Sequence, residues 1–201
     1  MWPTVGDLNK FKPNHVCSFL SHSICFVEQK ASRQEKCFAS LYEPRIFLQG
    51  EVNTRSCSWH DFFNANIWYA FPRTKAVLNM RQFIAFDERA EFPWKKPLPS
   101  RTREQDFLTM FDEGGCILVT LSKNQNISIP FLFGHGFYER IYYGDTDLSA
   151  CVLKIDLDLP LLDIKDVLKI VDCHVAKILA DRNYYKQPNA FCSMHVSLLT
   201  R

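Results

Sequence analysis

The sequence contains no Gly-rich phosphate loop, no Gly-x-Ser-x-Gly elbow and no Cys-x-x-Cys pair. Nucleotide binding through a P-loop, an α/β-hydrolase triad and a paired-thiol metal site are therefore without a local signature. No apolar run approaches the roughly 20 residues needed to span a bilayer. The opening Met1-Trp2-Pro3-Thr4-Val5-Gly6-Asp7 lacks the basic and apolar regions of a signal peptide, which predicts a cytoplasmic protein without a membrane partner. Charge of one sign is also missing. With 24 basic and 22 acidic residues the net charge is +2, too weak a field to recruit nucleic acid, so none is expected as a partner. There is no internal repeat and no low-complexity tract.

The 8 cysteines are scattered along the chain, several of them inside apolar runs such as Gly115-Cys116-Ile117-Leu118-Val119. There cysteine behaves as a small hydrophobe. Without an export signal or ligand spacing, all of them are expected as reduced thiols.

What the chain does have is enough apolar material for a core. Its 201 residues are 47% hydrophobic and 14% aromatic, with 17 Phe. One compact domain over residues 1–201 is the expectation. Helices are predicted at 5–11 and 16–20, and short strands at 24–27 and 45–48. Ser58 caps a helix running to Phe71, and Pro72 opens a second one reaching about Phe86. Residues 87–101 form a long Pro-rich loop carrying Trp94, Lys95 and Lys96. Thr102 and Gln105 make a capping box for a helix ending at Gly114-Gly115, followed by a strand at 116–121. A helix is predicted over 131–143, an alternating strand around 153–157, and a long amphipathic helix over 164–182. Helices outweigh strands and no βαβ rhythm appears. The predicted class is α+β, helix-dominated, with a small mixed or antiparallel sheet.

Several polar residues stand where polarity costs stability. His60 and Asn64 lie four apart at the margin of an apolar helical arc, which makes them neighbours. Asp61 is explained by its place in the first turn of a capped helix. Arg73 and Thr74 occupy the first turn of the next helix, where a cation opposes the macrodipole unless an internal carboxylate or a bound anion sits there. Lys75 and Asn79 share a helical face, read as solvated. His135 and Glu139 are at i and i+4, spacing that suits a base with its orienting carboxylate, two metal ligands, or a surface ion pair. The glycines at 134 and 136 allow something to approach the His135 backbone closely. A metal would need a third ligand, with His60 the candidate. No metal or cofactor enters the main expectation.

These residues fall in strings that resemble a family of bacterial proteins filed as domain of unknown function 3025. The strings are Gly50-Glu51-Val52-Asn53-Thr54-Arg55, Trp59-His60-Asp61-Phe62-Phe63-Asn64-Ala65, Phe71-Pro72-Arg73-Thr74-Lys75-Ala76-Val77-Leu78-Asn79, Phe111-Asp112-Glu113-Gly114-Gly115 and Phe133-Gly134-His135-Gly136-Phe137-Tyr138-Glu139. Asn53 departs from the family pattern, where proline is expected. The resemblance implies a bacterial cytosolic protein and carries no established activity. The leading expectation is a small hydrolase or group-transferase acting on an anionic small molecule. In it His135, Glu139 and His60 are catalytic, and Arg73, Asn64, Arg55 and Thr74 bind substrate. The alternative is a non-catalytic binding or scaffold domain in which the same cluster is structural.

Overall fold

The computed structural model describes residues 2–29, 37–89, 100–120, 128–157, 163–187 and 190–197. In chain order the elements are α1 (Val5–Phe11), β1 (Cys25–Glu28), α2 (Tyr42–Gln49), β2 (Glu51–Thr54), α3 (Trp59–Ala70), α4 (Pro72–Asp87), α5 (Arg103–Gly114), β3 (Gly115–Thr120), β4 (Ser128–Leu132), α6 (His135–Tyr142), β5 (Asp147–Asp156), α7 (Ile164–Ala180) and β6 (Phe191–Ser197). The class is α+β, as expected. One sheet has the order β4-β3-β5-β6, with β3 and β5 parallel and both outer pairs antiparallel. A second pairs β1 and β2 in parallel.

Alternation along β3 and β5 gives the larger sheet two apolar faces. Ile117, Val119, Leu153 and Ile155 pack with Leu108 and Phe111 of α5, Val77 of α4, and Val167, Val171 and Val175 of α7. Cys116, Ala150 and Val152 on the other face meet Phe137 of α6. A separate cluster of Leu8, Val16, Phe26, Val52 and Trp68 ties α1 and the small sheet to α3.

Helix α4 runs through the middle, and every residue from 74 to 82 is buried. The solvated face expected for Lys75 and Asn79 therefore does not exist; both side chains point into protein. Arg81, fully buried, donates through Nε and Nη2 to Glu104 Oε1 and through Nη1 to the Leu179 carbonyl. Arg182 bridges the same Glu104 to Glu88. This network locks the start of α5 to α4 and the end of α7.

Three local expectations are corrected. Residues 45–48 belong to helix α2, not a strand; Pro44 sits in its first turn, and Gly50, at φ 72°, ends it with its N–H on the Ile46 carbonyl. Residues 16–20 form no helix, and Cys17 pairs with Ser23 in an isolated bridge. The segment from 131 is split: 128–132 completes β4, and the helix starts only at His135. Of the Pro-rich stretch, residues 90–99 lie outside the described residues. All eight cysteines are free thiols. Among the described residues, no helix is long and apolar enough to cross a membrane.

Candidate functional site

The sheet brings two helix ends together. Helix α5 runs directly into β3, and β4, the antiparallel neighbour of β3, runs directly into α6. The N–H groups of Phe133 and Gly134 both bond to the Gly115 carbonyl, which fixes one turn against the other. Glycine is required at the crossing. A Cβ on Gly134 would stand 2.4 Å from the Glu113 carbonyl oxygen, and one on Gly136 would stand 2.8 Å from Glu113 Oε2. The anticipated close approach to His135 is thus the last turn of α5, carrying Asp112 and Glu113.

His60 on α3 completes the cluster. Its Nδ1 lies 2.9 Å from Glu139 Oε2 on α6, and its Nε2 lies 3.0 Å from His135 Nε2. Glu113 Oε1 is 3.4 Å from His135 Nε2 and 3.7 Å from His60 Nε2. Among the described residues, His60, Glu113 and His135 form the group able to offer three donor atoms to one metal ion. The i, i+4 pair of His135 and Glu139 works differently from expectation. Each touches His60, so Glu139 orients His60 and not its own helical neighbour.

Behind His135 sits Asp112, its Oδ2 3.8 Å from Nδ1. Asp112 Oδ1 accepts from Lys75 Nζ at 2.6 Å, and Lys75 also donates to Asn64 Oδ1 at 2.8 Å. Asn64 in turn donates to the Tyr42 hydroxyl, and Asn79 donates to Glu43. Burial opposes ionisation of Asp112, but Lys75 and then His135 outweigh it and hold its carboxyl below the usual range. Glu113 follows the same pattern, with His135 and His60 overcoming burial. Glu43 goes the other way. Burial, reinforced by the charge of Asp112, pushes it up to about 7 against the Asn79 hydrogen bond.

These groups line a cavity of about 340 Å³, bounded also by Arg55, Asp61, Trp68, Gln82 and Arg101. Arg55 is on its wall but is already bidentate to Asp61, whose own N–H is capped by Ser58. Arg73 and Thr74 do not reach it, contrary to expectation. Asp172 of α7, 98 residues from Thr74, accepts both of their backbone N–H groups and neutralises the start of α4 from within. The Arg73 side chain lines a different groove, beside Lys165, Lys169 and Lys177.

Sequence reasoning assigns no role to Glu113, Asp112, Tyr42 and Glu43, and reads Lys75 and Asn79 as solvated. A signal existed for the first two: consecutive carboxylates in the last turn of a helix face the negative end of its dipole and need a cationic partner.

No curated protein and no solved structure matches the chain. A family model matches residues 24–129, a span that includes His60, Asn64, Lys75, Asp112 and Glu113 and stops before His135. With more than half of its length matched, the chain belongs to the family described as Protein of unknown function (DUF3025).

Proposed function

We propose that the chain is a hydrolase acting on a small polar molecule with an anionic group, in a bacterial cytoplasm that keeps its thiols reduced. The observation that carries this reading is the convergence of His60 Nε2, His135 Nε2 and Glu113 Oε1, from three helices, on one point of a cavity wall. Water is activated at that point. The Lys75 ammonium, fixed by Asp112 and Asn64 and almost fully buried, stabilises negative charge developing on the substrate. Arg101 and Arg55, both on the cavity wall, offer positive charge for the anionic group.

A purely structural cluster would satisfy its own polar atoms. Here the Trp68 indole N–H and the Asn79 amide oxygen, both on residues lining the cavity, are buried without partners among the described residues. That favours a site whose missing partners arrive with a ligand over a scaffold.

The test is turnover of small carboxylic esters, amides and phosphomonoesters by the purified protein. At least one class is expected to be hydrolysed, with the rate falling about 100-fold or more in Lys75→Ala and His60→Ala. Absence of turnover across the three classes, or equal rates in the variants, contradicts the proposal.

A further inference from the structure

We propose that His60 Nε2, His135 Nε2 and Glu113 Oε1 bind one divalent cation of the zinc class, with Glu139 holding His60 in its ligating tautomer. This deepens the hydrolase reading and uses the same cluster, but binding and turnover are separate readouts.

Distances make the first argument. Ligands at about 2.0–2.1 Å around a tetrahedral ion stand about 3.3 Å apart. The observed separations of 3.0, 3.4 and 3.7 Å bracket that value. Two imidazoles and one carboxylate leave a fourth position open, and all three residues line the cavity, so that position is accessible to water or substrate.

Proton accounting makes the second. Glu139 accepts the Nδ1–H of His60, which leaves His60 Nε2 as a lone pair. Without a cation, His135 Nε2 has to donate to it. His135 Nδ1 then becomes a bare acceptor facing the Asp112 carboxylate, and this atom is buried with no partner among the described residues. With a cation both Nε2 lone pairs point at the ion. The His135 proton moves to Nδ1, on the side of Asp112. Each imidazole then has a carboxylate behind it, the usual support for a metal-bound histidine.

Charge makes the third. The last turn of α5 carries Asp112 and Glu113 and no basic residue, so the helix end is doubly unfavourable for them. His135 opens α6, so its ring stands at the positive end of that helix and facing the two carboxylates. A dication between the two helix ends compensates the carboxylates and needs a neutral histidine.

The experiment is titration of the chelator-treated full chain with Co2+, followed by displacement with Zn2+. One equivalent of Co2+ is expected, with visible absorption of low-coordinate cobalt and no thiolate charge-transfer band. Glu113→Gln and His60→Gln are expected to weaken binding about 100-fold or more, and Glu139→Gln about 10- to 100-fold. Glu113 is half-exposed, so Glu113→Gln keeps the result interpretable where a histidine variant misfolds. Three results overturn the inference: no stoichiometric uptake by wild type, unchanged affinity in Glu113→Gln, or a thiolate band assigning the ion to exposed cysteines such as Cys25, Cys37 and Cys57. Turnover in the chelated protein together with no stoichiometric uptake overturns the inference while sparing the hydrolase reading. Metal uptake without turnover does the reverse.

Discussion

The two ends of helix α5 carry opposite kinds of polar cluster. At its start, Glu104 sits in the first turn, where the dipole favours a carboxylate, and receives Arg81 and Arg182. Glu104, Arg81 and Arg182 all have partners there. At its end, Asp112 and Glu113 stand against the dipole, two imidazole nitrogens meet edge to edge, and His135 Nδ1 is left without a partner among the described residues. One helix thus separates a satisfied network from one that leaves a buried nitrogen without a partner among the described residues. Local stability sacrificed at a site is the usual mark of function.

Breaking the satisfied end is expected to have the largest effect. Glu104→Gln leaves the fully buried Arg81 short of its counter-charge, and urea unfolding should show a loss of about 3–5 kcal/mol. A loss under about 1 kcal/mol would mean that the network is not the anchor described here.

A smaller effect sharpens the comparison from inside the cavity. Glu43 titrates near 4.5 when unfolded and at about 7 in the fold. Between those values the folded chain holds more protons than the unfolded one, so stability falls as pH rises through that window. Replacing it with an uncharged isostere, Glu43→Gln, should flatten the decline by on the order of 1–2 kcal/mol. A pH profile of the variant that parallels wild type would show that the carboxyl is not held protonated.

Much of the architecture was readable. The capped starts at Ser58 and Thr102, Pro72 at a helix start and the apolar stripe of α7 are local signals, and each marks a real element. The errors came where tertiary burial overrides local pattern. Lys75 and Asn79 look like a wet face because their spacing is helical, yet α4 is enclosed by α2, α3, α5 and α7. Arg73 looked like an anion clamp because its partner, Asp172, is far along the chain. His60 and His135 were picked out by helical position and by flanking glycines. Their meeting, 75 residues apart in sequence, depends on the packing of α3 against α6, which no single-sequence period encodes.

The central claim is that the end of α5 is built for a ligand and not for stability. Urea unfolding of chelated Glu113→Gln beside chelated wild type tests it most directly. The predicted result is a change within about 0.5 kcal/mol, because the charge removed is half-exposed and the opposing helix dipole offsets its attraction to His60 and His135. A loss of about 2 kcal/mol or more, approaching that expected of Glu104→Gln, would contradict the claim and make the cluster a structural network.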